Sequence, residues 1–178
     1  MAVWPSPAVV HQLRAIDRPP LPGVRWTTEQ QWHVTLRFLG GVADDEVEGV
    51  KGGLAQLGRL GTLSALTAVA GPVVSRLGQS VLCVPVSGLE PLAVSVEQLT
   101  AAVGEPPGTR PFRGHLTLAR TRPGMRPPAT GAPLAASWPV DEVTLVASTL
   151  HPAGARYQVI GRVPLHRGEN GSVLDAAR

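Results

Sequence analysis

The chain has 178 residues, 43% of them hydrophobic, and carries a formal net charge of +3. That length suits one domain, or two small lobes that share a core, and no apolar run approaches the length that spans a membrane. The start, M-A-V-W-P-S-P, lacks the basic and apolar regions of a secretion signal, and the single cysteine, Cys83, cannot form an internal disulfide. We therefore expect a cytoplasmic protein in which the Cys83 thiol is buried.

The first half of the chain predicts two helices among short strands. Ser6 as N-cap and Pro7 at the first helical position are typical of a helix start, and an apolar stripe continues to about Asp17. Asp44 is predicted to cap a second helix, which has an acidic first turn and runs to about Gly58. Strands are predicted at residues 2–4, 24–27, 32–40, 62–70, 73–76 and 81–86.

The second half predicts one helix, one strand and a closing hairpin. The helix covers residues 90–103 and ends at Gly104, and the strand covers residues 112–120. A long loop with five prolines is expected at residues 121–139. The hairpin strands are predicted at residues 141–150 and 156–163, and the polar tail at 166–178 is expected to be flexible. We expect residues 1–165 to form a single domain.

The motif H-x-T-L occurs twice, at residues 33–36 and 115–118, each time inside a predicted strand. Side chains alternate along a strand, so the His and the Thr of each motif share one face, and the apolar residues take the other. The same alternation predicts Arg37 on the His face and Phe38 in the core. Predicted helices open 26 residues before the first motif histidine and 24 before the second, which is typical of a duplicated unit.

Two such strands offer two imidazoles and two hydroxyls to one bound group, and we expect the strands to face each other across a cleft. This set suits in-line displacement at phosphorus. One neutral imidazole would take a proton from the attacking water, and one protonated imidazole would give a proton to the departing oxygen. Thr35 and Thr117 would donate hydrogen bonds to the non-bridging oxygens. The catalytic pair is then His33 and His115.

With their flanks R-F-L-G and A-R, these motifs resemble the paired motifs of the two-histidine (2H) phosphoesterase superfamily, and most of all the RNA 2',3'-cyclic phosphodiesterases, also called 2'-5' RNA ligases. The likeness extends to V-R-W before the first motif and to S-x-L and Tyr157 near the C-terminus. It implies an α+β, bilobal, duplicated fold with two antiparallel sheets lining a central cleft and helices outside. It also implies hydrolysis of a terminal 2',3'-cyclic phosphate to a 2'-phosphate.

By the same resemblance, His33 would protonate the leaving 3' oxygen, His115 would activate water, and Arg120 would join the two threonines in binding phosphate. The sequence itself does not distinguish the acid from the base. The resemblance implies no cofactor and no metal, and the expected partners are RNA ends or nucleotides with a 2',3'-cyclic phosphate. We expect a monomer that does not bind membranes.

Residues 110–126 contain five Arg and no acidic residue, so a positive field should surround the second motif. This makes Arg113 a weaker candidate for substrate binding. Arg37 is another, although a salt bridge would explain it equally well. Phe112 could stack a terminal base, but core packing is favoured.

Other classes of function fit less well. The sequence has no H-E-x-x-H, no G-x-S-x-G, no P-loop and no dinucleotide-binding glycine motif. The alternatives that stay open are a module that binds RNA ends or nucleotides without turnover, and a phosphodiesterase for 2'-5' oligonucleotides or another small cyclic phosphate.

Overall fold

The computed structural model describes residues 1–57, 66–128, 131–152 and 154–165. Three helices and ten strands follow one another through these ranges, with a short 3-10 helix at Glu29–Gln31 before the first motif. The helices are α1 (Pro7–Arg14), α2 (Asp44–Ala55) and α3 (Glu90–Leu99). The strands are β1 (Ala2–Val3), β2 (Val24–Trp26), β3 (Val34–Thr35), β4 (Thr67–Ala70), β5 (Ser75–Leu77), β6 (Val81–Ser87), β7 (His115–Thr121), β8 (Ala136–Pro139), β9 (Glu142–Thr149) and β10 (Arg156–Pro164).

The strands form one connected antiparallel sheet in the order β10-β9-β1-β3-β7-β6-β4-β8, with β2 added to β7 and β5 added to β6. The predicted α+β class is confirmed. The two expected sheets are the two halves of this network, joined where β3 pairs with β7 through Val34 and Leu116. Each half contributes one motif strand to the junction, so the two H-x-T-L motifs meet at the middle of the sheet.

The core lies on the apolar face of the junction. Val34 and Leu116, which pair across it, have no exposed surface, and Trp32 and Leu118 continue the buried stripe along the same two segments. Burying large apolar side chains on one face of a sheet fixes its register, because a slip of one residue would turn the whole set toward water. The opposite face is therefore free to present the polar residues of both motifs.

The helices pack their apolar stripes against this core and end earlier than the sequence pattern suggests. The Ser6 side chain accepts a hydrogen bond from the Val9 amide, as predicted for the N-cap, and α1 ends at Arg14 instead of continuing to Asp17. In α2, Ala43 is the N-cap and Asp44 is the first helical residue. The third helix also stops early, at Leu99. The second helix ends at Ala55 instead of continuing to about Gly58, which lies outside the described ranges together with the first residues of the strand predicted at 62–70.

Two predictions about extended segments are wrong. The first motif strand has two residues, because the amides of Leu36 and Arg37 both turn toward the Met1 carbonyl instead of continuing along β7. The alternation therefore stops, and Phe38, predicted in the core, is 66% exposed. The predicted loop at 121–139 contains β8, which pairs with β4 along four residues.

The closing hairpin is confirmed, since β9 and β10 pair along most of their length with an irregularity between Val159 and Gly161. The Cys83 thiol is buried, as expected. None of the helices that the structure describes is long and apolar enough to cross a membrane. The tail predicted at 166–178 lies outside the described residues.

Candidate active site

The register of the central strand pair brings the two motifs onto one surface. Val34 pairs with Leu116 in antiparallel orientation. Continued by one residue on either side, this register sets His33 next to Thr117 and Thr35 next to His115. Alternation turns all four side chains away from the buried Val34 and Leu116. The motif strands are thus neighbours in one sheet, which corrects the expectation that they face each other across a cleft.

These four side chains line a pocket of about 300 Å³. Arg120 lines it too, as the resemblance implies for a phosphate-binding residue. The rest of the wall comes from the segment before β3 and from the β9–β10 hairpin. Its remaining residues are Arg25, Thr27, Gln31, Ser148, Leu150, His151, Ala155 and Tyr157.

His33 is partly buried between two aromatic rings. Its imidazole centroid lies 5.3 Å from that of Trp4, which is tilted to it, and 4.5 Å from that of Tyr157, which meets it edge on. Burial and then the positive charge of the N-terminal amine lower the pKa of His33 from its ordinary 6.5 to about 4. The Gln31 backbone opposes this shift, and His115 and Arg120 add weaker effects in the lowering direction. At neutral pH the ligand-free imidazole is therefore uncharged.

The Nδ1 atom of His33 is buried and has no hydrogen bond of standard geometry to any described residue. The Gln31 backbone is close enough to favour the protonated ring slightly, but it does not complete such a bond. Because the His33 imidazole is held only by ring contacts and by its position in the sheet, both of its neutral tautomers are available.

His115 is fixed in another way. Its Nδ1 lies 2.7 Å from the carbonyl oxygen of Arg113. A carbonyl can only accept, so Nδ1 carries the hydrogen and Nε2 is left for the ligand. Gly114 lets the backbone come this close to β6, since a Cβ there would lie 2.3 Å from the Val86 carbonyl oxygen. The same backbone segment accepts a hydrogen bond from the Val86 amide.

Thr27 ties the two motif segments together at the wall of the pocket. Its hydroxyl accepts a hydrogen bond from the Trp32 indole at 3.0 Å and lies 2.7 Å from the Thr117 carbonyl oxygen and 2.9 Å from that of Leu118, either of which can accept its proton. The residue before His33 is thereby linked to the backbone of the second motif. This bond network holds the spacing between the two sets of catalytic candidates.

The weaker candidates do not join the pocket. Arg37 is 7% exposed, and its guanidinium donates to the Thr100 hydroxyl and to the carbonyls of Glu97, Val103 and Glu105 near the end of α3. The prediction that it faces the cleft is wrong, because β3 ends before Arg37 and the alternation ends with it. The guanidinium is held by these hydrogen bonds to neutral acceptors and not by a salt bridge.

Phe112 and Arg113 also lie outside the pocket lining. Phe112 is partly buried and packs against the hydrophobic core, which is the role that the sequence favours for this side chain. Arg113 has an exposed side chain and contributes its backbone carbonyl, which positions His115.

Sequence reasoning misses several pocket residues because they come from loops and from distant strands. Nothing in the sequence pattern singles out Trp4, whose ring contacts that of His33. Arg25, within V-R-W, and Tyr157 are indicated only through the resemblance, and Gln31 gives no signal of its own. In the described ranges, no group of three His, Cys, Asp or Glu side chains is placed to hold a metal ion.

Comparison with known proteins agrees with this architecture. Residues 3–67 match the family model described as LigT like phosphoesterase. A curated relative named RNA 2',3'-cyclic phosphodiesterase, from Thermus thermophilus, is 41% identical over 85 residues. That match spans 46% of this chain and 41% of the relative's own length.

Solved structures extend the likeness over nearly the whole chain. The Thermus thermophilus protein TT0787 has a TM-score of 0.73 at 27% identity, with 94% of this chain and 97% of that one covered. Escherichia coli LigT complexed with 3'-AMP has a TM-score of 0.70 at 28% identity, with 92% and 95% covered. The resemblance to the 2H phosphoesterases, predicted from the two motifs, is confirmed.

Proposed function

We propose that this chain is a LigT-like phosphoesterase of the 2H superfamily and that it acts as an RNA 2',3'-cyclic phosphodiesterase, which opens a terminal cyclic phosphate to a 2'-phosphate. The observation that carries the proposal is the register of β3 and β7, which sets two imidazoles and two hydroxyls around one point. The name of the Thermus relative and the nucleotide bound to the Escherichia coli protein support the substrate class.

In the proposed reaction, water attacks phosphorus in line with the bond to the 3' oxygen. One imidazole removes a proton from the water as the new P–O bond forms, and the other gives a proton to the 3' oxygen as its bond to phosphorus breaks. The products are a 2'-phosphate and a 3'-hydroxyl. Thr35 and Thr117 donate to the non-bridging oxygens, where charge grows in the transition state, and Arg120 binds the same oxygens as a planar cation. If the 5' hydroxyl of a second RNA replaced water as the nucleophile, the same step would form a P–O bond to that hydroxyl, release the 3' oxygen and leave a 2'-5' linkage.

The resemblance assigns the acid to His33 and the base to His115. The lowered pKa of His33 leaves this imidazole neutral at pH 7 in the ligand-free protein. To act as the acid it must therefore take up a proton together with the anionic phosphate. His115 suits either role, because the Arg113 carbonyl accepts from Nδ1 in both protonation states and leaves Nε2 to give or to take a proton.

A sulfur leaving group separates the two roles. A substrate with sulfur in place of the 3' oxygen needs no general acid, because a thiolate departs without a proton. Such a substrate restores turnover to the variant that lacks the acid and leaves the variant that lacks the base inactive. We expect rescue of His33→Ala if the assignment by resemblance holds, and rescue of His115→Ala if the roles are exchanged.

The proposed activity is tested with EDTA-treated protein and an RNA oligonucleotide that ends in a 2',3'-cyclic phosphate. We expect conversion to the 2'-phosphate, separated from the 3'-phosphate by chromatography, without added metal. Formation of the 3'-phosphate would contradict the geometry of attack. An intact cyclic phosphate with the RNA still bound would favour a binding module, or a phosphodiesterase for a different cyclic phosphate.

A further inference from the structure

Arg25 is a pocket residue that the proposed chemistry does not use. It lies on β2 and pairs directly across the sheet with Arg120 on β7. Both side chains are exposed, and both line the pocket. The site therefore presents two guanidinium groups side by side on neighbouring strands.

Neither cation is neutralised by the protein. Within the part of the chain that the structure describes, no hydrogen bond or ion pair is formed by the side chain of Arg25 or Arg120, whereas Arg14 is paired with Glu29 and Arg162 with Glu142. None of the residues that line the pocket is acidic. Like charges directly opposite each other in a sheet are destabilising, so this pair costs stability until an anion binds.

The hairpin leaves room for the Arg25 side chain at the pocket. A Cβ on Gly154 would lie 3.3 Å from Nη1 of Arg25 and 2.8 Å from Nε2 of Gln31. Gly154 also has a φ of +116°, which side-chain-bearing residues rarely adopt. Gln31 in turn donates to the Ala155 carbonyl at 2.8 Å, which holds the hairpin against this wall.

The two arginines are placed for different tasks. Arg120 is close enough to His33 for its charge to help lower the pKa of that imidazole, and Arg25 is not among the groups that do so. Arg120 therefore belongs with the reacting phosphate, and Arg25 lies across from it on β2, which pairs with the part of β7 beyond the second motif.

We propose that Arg25 is a specificity residue that binds a second phosphate of the substrate, one nucleoside away from the phosphate that reacts. This inference rests on the proposed function and narrows its substrate class. The preferred ligand is a cyclic-phosphate end that also carries a phosphate on its 5' oxygen, as the 3'-terminal nucleotide of an RNA chain does. A nucleoside 2',3'-cyclic phosphate without a 5' phosphate would leave Arg25 unpaired.

The test measures binding, so that it does not depend on turnover. Dissociation constants are measured by calorimetry for adenosine 2'-phosphate and adenosine 2',5'-bisphosphate. Wild type, Arg25→Met and Arg122→Met are compared. Arg122 is an exposed arginine just beyond β7 that does not line the pocket, so its variant removes the same charge elsewhere. A dinucleotide that ends in a 2'-phosphate shows whether a chain phosphodiester serves as well as a 5'-monophosphate.

We expect wild type and Arg122→Met to bind the bisphosphate roughly tenfold more tightly than the monophosphate, and Arg25→Met to bind the two about equally. A dinucleotide that shares the preference identifies an RNA chain as the source of the second phosphate, whereas preference for the monoester alone identifies a small nucleotide. Equal affinities in wild type, or an undiminished preference in Arg25→Met, would overturn the proposal. Loss of hydrolysis with these affinities intact would count against the proposed function alone.

Discussion

We predict that the imidazole of His33 is almost entirely unprotonated at pH 7 in the ligand-free protein. With a pKa of about 4, roughly one imidazole in a thousand is protonated at pH 7, whereas an unperturbed histidine would be protonated in about one molecule in four. The leading cause is burial, to which the Trp4 and Tyr157 rings contribute by direct contact. Replacing Tyr157 by Ala should hydrate the ring and move the pKa back toward 6.5.

The assay is an NMR titration of the imidazole nitrogens, with the His33 signals assigned by their absence in a His33→Asn variant. We expect a midpoint near pH 4 in wild type and a higher one in Tyr157→Ala. Saturation with adenosine 2'-phosphate should also raise the midpoint, because a bound anion favours the charged ring.

The pH dependence of kcat/KM also reports the ionisation of His33, because this ratio depends on the protonation state of the free protein. The profile should be bell-shaped, and its acidic limb should lie near pH 4. A His33 midpoint near 6.5 in the ligand-free wild type would refute the argument that burial keeps this imidazole neutral.

Three further predictions follow from the same contacts. Thr35→Val and Thr117→Val should keep the strands and lower kcat by roughly 10² each, because each removes a donor to the transition-state oxygens; near-wild-type kcat in steady-state assays would exclude that role. Arg37→Met should lower the free energy of unfolding by about 3 kcal/mol in urea titrations, because it leaves buried acceptors near α3 unpaired. The matched variant Arg14→Met, which breaks an exposed ion pair, should lower the free energy of unfolding far less, and equal losses would contradict the distinction. Because the folded-state pKa of His33 lies below its unfolded value, its contribution is present above pH 6.5 and is lost as the pH falls toward 4; this loss, at most about 3 kcal/mol, should be absent in His33→Asn.

The sequence predicted those parts of the site that depend on local periodicity. Two H-x-T-L motifs sufficed to set His33 with Thr35 and His115 with Thr117, because alternation along a strand needs only neighbouring residues. The same alternation rule failed at Arg37, two residues after Thr35. There the backbone turns to the Met1 carbonyl, and nothing in the local sequence marks that turn.

The relation between the motifs could not be read from either strand alone. That β3 and β7 are neighbours follows from pairing across more than eighty residues of sequence, and so does the meeting of Arg25 with Arg120. Trp4 and Tyr157 enclose His33 from opposite ends of the chain. Contacts of this kind depend on tertiary packing, for which composition and spacing carry no direct signal.

The most direct test of the two-histidine account is turnover of an RNA 2',3'-cyclic phosphate end by His33→Ala and His115→Ala, with His11→Ala as the matched control. His11 is an exposed imidazole on α1, so its loss removes a histidine without touching the pocket. We expect each motif variant to lose nearly all activity while unfolding as cooperatively as wild type, and His11→Ala to remain fully active. Wild-type turnover in either motif variant would contradict the account.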